Sequence, residues 1–422
     1  MERAELARLL GGNATHAPRT VIAEANAAQF RAKFADAVAG TGDVFLADPK
    51  WGEEEWDQFH AVLASGVSLT AAPFIQNATG LDGPKLQGSE GGWLMIPTGG
   101  SHGTMRLTRH DSATISAAVM GFTKCFGLRR VNAVGVLPLQ HVSGLMGWLR
   151  CAITGGTYLH CDWKAVEVGK GPVLPATPEG WVLSLVPTQL ERLLRDPAAV
   201  EWLRQFQLIF VGGGPSWPEL LDYAANERLP VVLGYGLTES AAMVSALKPK
   251  DFLAGARNSG KALPHALLAI APDGAITVAG KSLFRGYYPG WRESGVFTTE
   301  DLGVLAADGH LTVVGRRDGM IITGGEKVSP TEVEAILRGT KEFSDVAVLG
   351  VQHAEWGTQV VAVYPMGREP DLDKVRAALT QQLARFKHPQ RYVAIAEWPR
   401  NAQGKLNRAE LVRLMAGQDS DR

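Results

Sequence analysis

The stretch PTGGSHGTMR at residues 97–106 follows the apolar run Trp93-Leu-Met-Ile96. It is rich in glycine, carries hydroxyls and ends on a base. Successive backbone N–H groups in such a loop can wrap an anion, because glycine lets the chain approach closely. A Walker A loop would need lysine and then a hydroxyl directly after its second glycine. Here Thr104 stands in the lysine position and the base arrives only at Arg106, so that reading fails. The nucleophile elbow G-x-S-x-G is matched letter for letter by Gly99-Gly-Ser101-His-Gly103. An elbow needs a helix immediately after the serine. Thr104–Arg109 instead alternates like a strand, and the helix-like run starts only at Asp111, which argues against a serine hydrolase acting through Ser101.

At 422 residues the chain exceeds what one core normally supports, so two or more domains are expected. Hydrophobic content of 45% with 20% charged residues describes a globular chain able to bury a sizeable core. A formal net charge of −1 gives no electrostatic reason to expect nucleic acid or an anionic membrane as partner. No apolar run approaches the roughly 18 residues of a spanning helix. Met1-Glu-Arg-Ala-Glu5 lacks the basic-then-apolar order of a signal peptide, so a cytoplasmic location is expected. Cys125, Cys151 and Cys161 show no C-x-x-C spacing, and burial is the expected role of each.

Residues 1–90 read as amphipathic helices and loops, with Phe30 and Phe34 at i, i+4 spacing and short strands at Val44–Ala47 and Val67–Leu69. From residue 111, helices such as Ser112–Phe126 and Ser143–Ile153 alternate with strands such as Ala133–Leu137, Trp181–Val186, Leu208–Val211 and Val231–Leu233. This rhythm predicts an α/β fold with layered, mostly parallel sheets and covering helices, whose ligands collect at the C-terminal ends of strands. Residues 255–315 change to short strands and turns. A compact α+β unit follows Arg317-Asp-Gly319, so the expected domains are 1–317 and 318–422.

Several segments resemble, in order, the adenylate-forming superfamily of acyl-CoA synthetases, peptide-synthetase adenylation domains and luciferases. Thr98–Arg106 resembles its phosphate loop, with Gly99, His102, Met105 and Arg106 as departures. Pro138-Leu-Gln-His141-Val-Ser-Gly144 and Gly234-Tyr-Gly-Leu-Thr238-Glu239 match two further elements. Phe297-Thr-Thr-Glu-Asp301 parallels a third, with Glu300 replacing a glycine. Gly315-Arg316-Arg-Asp318 with Gly324-Gly325 parallels the hinge region, and Pro399-Arg-Asn-Ala-Gln-Gly-Lys405 the C-terminal lysine loop.

The resemblance implies a large N-terminal domain and a small α+β C-terminal domain on a hinge. It also implies an enzyme that joins a carboxylic acid to AMP and then to coenzyme A. ATP or AMP would be held by Thr98, Gly99, Gly100, Ser101, Gly103, Arg106, Gly234, Tyr235, Gly236, Thr238, Asp301 and Arg316. Glu239 would hold Mg²⁺ as a hard oxygen ligand, and Lys405 would stabilise charge at the α-phosphate. His141 would gate the acyl pocket, with Asp318, Gly324 and Gly325 at the hinge and coenzyme A face. Each has a plainer reading: a helix cap for Glu239, a turn residue for Asp301, a satisfied histidine for His141 and a solvated loop lysine for Lys405.

The surroundings of His141, the segment Ser184–Leu194 and the arginine-bearing loop resemble the o-succinylbenzoate–CoA ligases of menaquinone and phylloquinone synthesis. That substrate carries two carboxylates, and Arg150 is the candidate partner for the second. The alternative for Arg150 is a surface arginine paired with any acid. Ser143, Gly212, Gly213 and Gly214 complete the expected substrate pocket. Trp148 and Val142 lie nearby, with core packing their commoner fate. Another aryl- or fatty-acyl-CoA ligase, or a non-catalytic nucleotide-binding relative, would share most of these motifs. A homo-oligomer is compatible with the sequence.

Overall fold

The computed structural model describes residues 1–14, 18–51, 53–70, 91–99, 105–214, 216, 218–293, 295–319, 321–323, 326–353, 357–383, 385–401 and 405–419. The chain opens with α1 (Arg3–Leu10), β1 (Arg19–Ile22), α2 (Ala27–Ala39), β2 (Asp43–Leu46) and α3 (Glu53–Thr70). Asn26 caps α2, accepting hydrogen bonds from the amides of Ala28 and Gln29, which satisfies donors the first turn would otherwise leave open. Phe30 and Phe34 then fall on one face and are fully buried. The short strand expected at Val67–Leu69 is instead the last turn of α3. Three residues of alternation do not separate strand from helix, and the spacing of Trp56, Phe59 and Leu63 upstream carries the helix through.

Strands β3 (Leu94–Gly99) and β4 (Met105–His110) complete a sheet ordered β1-β2-β3-β4, with β3 and β4 antiparallel. The loop quoted first therefore joins a hairpin whose last pairs are Thr98 with Arg106 and Gly99 with Met105. A strand follows it, as its alternation predicts. The first helix beyond is α4 (Ser112–Phe126), capped at Asp111 by a reciprocal box with Thr114 and ended by Gly127 in the left-handed region.

A seven-stranded sheet forms the centre. It contains β5 (Ala133–Gly135), β6 (Tyr158–His160), β7 (Val182–Leu185), β8 (Leu208–Val211), β9 (Val231–Leu237), β10 (Ala242–Leu247) and β11 (Lys261–Ala262). Its order is β11-β10-β9-β8-β7-β5-β6; the run from β9 to β6 is parallel, while β10 and β11 are antiparallel. One face packs against α4 and α5 (Val142–Thr154) through Phe122, Cys151, Val182 and Phe210, while Leu145 and Leu149 of α5 join the core of the first sheet. The other is covered by α6 (Trp163–Glu167), α7 (Pro187–Leu194), α8 (Pro197–Leu203), α9 (Pro218–Asn226) and α10 (Pro249–Leu253). Both faces are buried, as the continuous apolar strands require.

A meander of β12 (Ala266–Ile270), β13 (Ala275–Gly280), β14 (Phe297–Leu305) and β15 (Leu311–Arg316) follows, then one short turn of helix at Arg317–Gly319. Beyond it lie β16 (Ile321–Thr323), β17 (Glu326–Val328), α11 (Pro330–Gly339), β18 (Ala347–His353), β19 (Gly357–Pro365), α12 (Leu372–Gln382), β20 (Arg391–Ile395) and α13 (Arg408–Asp419). This small α+β domain has its own core around Val333, Leu337, Val348 and Val360. Glu334 is buried and accepts from the Val348 amide at 2.8 Å and from Arg338 and Arg408, which ties α11, β18 and the start of α13 together.

All three cysteines are free thiols, Cys151 buried and the other two half-buried. Burial raises each thiol above its ordinary value, Cys151 to about 12. Among the described residues no helix is long and apolar enough to cross a membrane.

Candidate active site

Several motif residues lie just past the C-terminal ends of β8 and β9, neighbouring parallel strands of the central sheet. Beyond β8, Gly212, Gly213 and Gly214 lead toward α9, with Gly213 at a φ of 78° that glycine adopts without strain. Lys405, from the small domain, reaches this turn. A β-carbon on Gly213 would lie 3.5 Å from Lys405 Nζ. Protein atoms crowd the lysine even though its side chain keeps contact with solvent, and this desolvation lowers its pKa.

At the end of β9 the chain makes a tight turn through Thr238–Ser240 into β10. A β-carbon on Gly236 would sit 2.3 Å from the Ala242 carbonyl oxygen, so only glycine fits. Ala241 and Ala242 hold φ values of 52° and 82°. Backbone of this kind costs on the order of 1–3 kcal/mol per residue and persists only where surroundings enforce it. Here Ser240 Oγ accepts from the Leu237 amide and donates to the Ala242 carbonyl at 2.7 Å. His110 adds a bond from outside the turn, its Nε2 lying 2.8 Å from the Thr238 carbonyl and its Nδ1 3.1 Å from Thr114 Oγ1. Burial lowers the His110 pKa to about 4, so the ring is neutral and donates from Nε2.

Glu239 is held twice by one segment. The Phe284 amide donates to its carbonyl at 2.8 Å, and Tyr287 OH donates to Oε1 at 2.6 Å. Desolvation and the neighbouring Glu239 charge both push the Tyr287 phenol up, keeping it a donor. The Arg106 guanidinium lies 5.1 Å from the Tyr287 ring centroid. Arg106, Tyr287 and Glu239 thus form one cluster at the mouth of the hairpin. Asp301 accepts from Tyr235 OH at 2.7 Å, and its cross-strand partner in register is Arg316.

His141 begins α5 and presents Nε2 3.3 Å from Asp48 Oδ2. Burial would raise the Asp48 carboxyl, but His141, the Lys50 amide and Gln140 together hold it below its usual value. Asp48 therefore stays ionised and orients the imidazole. Farther along α5, Ser143, Gly144, Gly147 and Arg150 line a cavity of about 10 Å³ together with Ser184 and Tyr158, room for about one water.

Arg150 is not a surface residue. It is 6% exposed, its guanidinium lies 4.0 Å from the Phe122 ring centroid, and its Nε has no hydrogen-bond partner. Desolvation lowers its pKa to about 10, so it remains a cation. Among the described residues no acid is paired with it. Trp148 packs edge-on against Phe34 in the core, and Val142 packs against the same cluster.

Gly100, Ser101, Gly103, Gly324 and Gly325 lie outside the described residues, and Arg316 and Asp318 are described by backbone alone. The residues that sequence reasoning missed are Asp48, His110 and Tyr287. Asp48 sits just past the C-terminal end of a parallel strand, a position where ligand-facing groups are expected. His110 and Tyr287 carried no signal of their own. Among the described residues no group of three or more His, Cys, Asp or Glu side chains is arranged to hold a metal. A single carboxylate such as Glu239 has the chemistry for Mg²⁺, which takes one or two carboxylates plus substrate phosphates.

An antiparallel hairpin, a strained Thr-Glu turn and a lysine from the small domain belong to one α/β fold. The chain belongs to the AMP-binding enzyme family, whose model matches residues 18–288, with the family's C-terminal domain matching 332–405. It is 33% identical over 307 residues to the 2-succinylbenzoate–CoA ligase of Geobacillus kaustophilus, covering 67% of this chain and 61% of that protein. It is 32% identical over 313 residues to the Listeria monocytogenes enzyme of the same name, covering 71% and 64%. The match thus spans less than two thirds of either relative. The fold is similar to the o-succinylbenzoate CoA synthetase of Bacillus subtilis in complex with the acyl-adenylate OSB-AMP, with a TM-score of 0.77, 21% identity and coverage of 97% and 91%. ATP-bound MatB from Rhodopseudomonas palustris is similar to a comparable degree, with a TM-score of 0.75, 20% identity and coverage of 97% and 92%.

Proposed function

We propose that the chain is an ATP-dependent acid–thiol ligase of the cytoplasm that converts 2-succinylbenzoate to its coenzyme A thioester. Family membership supports the reaction class. The observation that carries the choice of acid is Arg150, a buried cation with no acidic partner among the described residues. An uncompensated buried charge is costly, and the distal carboxylate of a dicarboxylic substrate would supply the missing partner.

In the first step a substrate carboxylate oxygen attacks the α-phosphorus of ATP, forming an acyl-adenylate and releasing pyrophosphate. Lys405 stabilises charge developing on the α-phosphate, and its desolvated setting strengthens that interaction. Thr98, Gly99 and Arg106 at the hairpin, with Gly100, Ser101 and Gly103 between them, receive the outer phosphates. Tyr235, Gly236, Asp301 and Arg316 hold the nucleoside, and Thr238 contacts the phosphate. Glu239 would hold Mg²⁺, which would supply charge neutralisation for the phosphates. Tyr287 fixes the carboxylate that receives it. His141, oriented by Asp48, separates the nucleotide from the acyl pocket of Ser143, Arg150 and Gly212–Gly214. In the second step the coenzyme A thiol attacks the acyl carbonyl and AMP departs. We place the domain division between residues 317 and 318, with Asp318 as hinge and Gly324-Gly325 facing coenzyme A.

Pyrophosphate release with MgATP and a panel of acids, with and without coenzyme A, tests the reading. Turnover restricted to 2-succinylbenzoate, with AMP and thioester accumulating only when coenzyme A is present, is expected. Release with other aryl or fatty acids would retain the reaction class and overturn the substrate. Silence across the panel would overturn both.

A further inference from the structure

His265 lies between β11 and β12, far in sequence from every motif used above. Its ring fills a notch in α4. A β-carbon on Gly121 would fall 1.8 Å from His265 Nδ1, so only glycine at that position admits the imidazole. A glycine inside a helix costs roughly 1 kcal/mol relative to alanine, so the notch is maintained at the expense of helix stability. Both ring nitrogens are buried, and neither makes a well-aligned hydrogen bond among the described residues, the Met243 backbone being the polar group close to the ring. The next residue of α4, Phe122, is the one whose ring lies under the Arg150 guanidinium. Adjacent positions of one helix therefore seat two buried nitrogen donors, Arg150 Nε and the His265 ring, that are unsatisfied together. Burial and then the field of Arg150 lower the ring's pKa to about 4, against a smaller opposing interaction with the Met243 backbone. Buried polar groups without partners are uncommon in folded proteins, and two side by side mark a place for an acceptor.

We propose that His265 is a specificity-determining residue that donates, beside Arg150, to the distal carboxylate of the acid substrate. The proposal rests on the dicarboxylate reading above and extends it to a second donor. The neutral imidazole supplies one N–H to the carboxylate while Arg150 supplies the charge. No proton or electron changes hands, and the carboxylate at the other end of the substrate is the one activated.

The test compares 2-succinylbenzoate with 4-oxo-4-phenylbutanoate, which lacks only the ring carboxylate, in pyrophosphate-release kinetics of the full chain. Wild-type enzyme should show a much lower KM for the dicarboxylate. His265→Phe should raise that KM about tenfold or more, the range expected for losing a hydrogen bond to a charged group. The KM for the monocarboxylate and for ATP should stay within about twofold. His265→Gln keeps a donor and should recover most of the loss. An unchanged dicarboxylate KM in His265→Phe, or an equal rise for both acids, overturns the role of His265 while leaving the substrate reading intact. No preference between the acids in the wild type overturns both. Should His265→Phe not fold, the wild-type imidazole signals in a titration with 2-succinylbenzoate decide the matter: a His265 shift that 4-oxo-4-phenylbutanoate does not produce is expected, and its absence refutes the contact.

Discussion

Replacing His110 with glutamine should remove a defined part of the acid sensitivity of the fold. The ring is buried, bonded to the Thr238 carbonyl, and its pKa falls from 6.5 to about 4 because burial disfavours the cation. A group whose folded pKa is depressed binds its proton more readily in the unfolded chain, so stability falls as pH falls through the window between the two values. Each pH unit within that window costs about 1.4 kcal/mol. Going from pH 7 to pH 5 crosses about one and a half of those units, a loss of about 2 kcal/mol attributable to His110. Glutamine can donate to the same carbonyl and does not titrate. Any packing cost of the substitution is common to both pH values and cancels in the difference. Urea unfolding of wild type and His110→Gln at pH 7 and pH 5, followed by tryptophan fluorescence, measures it. The wild type should lose about 2 kcal/mol more than the variant between the two conditions. Equal losses would mean that His110 is charged or exposed, and the account of how the Thr238–Glu239 turn is held would fall with it.

Lys405→Ala should slow adenylate formation by about 10²- to 10³-fold and leave thioester formation from supplied acyl-adenylate near wild type; equal loss of both steps would remove Lys405 from its assigned role. Tyr287→Phe removes the donor to Glu239 Oε1 without emptying the site. It should raise the magnesium concentration needed for half-maximal rate several-fold with little change in thermal midpoint, and an unchanged magnesium dependence would count against it. Gly213→Ala places a side chain at a φ of 78° and against Lys405 Nζ. A loss of about 1 kcal/mol in stability together with a larger loss of adenylation rate is expected, measured by denaturation and pyrophosphate release; full activity would show that Lys405 does not work at this turn.

The α/β core was legible because its strands are continuous apolar runs and its helices carry strong boundaries. Ser112–Phe126 follows from Asp111 as cap and Gly127 as stop, and the structure reproduces it to the residue. Val67–Leu69 was misread because a short alternation is compatible with either element. Motif residues such as Gly213 and Thr238 could be expected past strand ends, because the strands before them are clear apolar runs. His110 and Tyr287 could not, since they act from 128 and 48 positions away through bonds that only the tertiary fold creates, and Asp48 offered only its place past the end of β2. Arg150 was ambiguous for a different reason. Its sequence neighbours do not say which side of α5 it occupies, and burial beneath that helix, not the arginine itself, is what gives it meaning.

The state of the three thiols has a practical consequence for the bench. Coenzyme A consumption is conveniently followed with a disulfide reagent that turns coloured on meeting a thiolate, and a protein with reactive cysteines would contaminate that signal. Here burial holds Cys125, Cys151 and Cys161 all above the ordinary cysteine value, and it is the thiolate that attacks. At neutral pH the native enzyme should therefore be nearly silent toward the reagent, and the colour lost during turnover can be read directly as coenzyme A consumed.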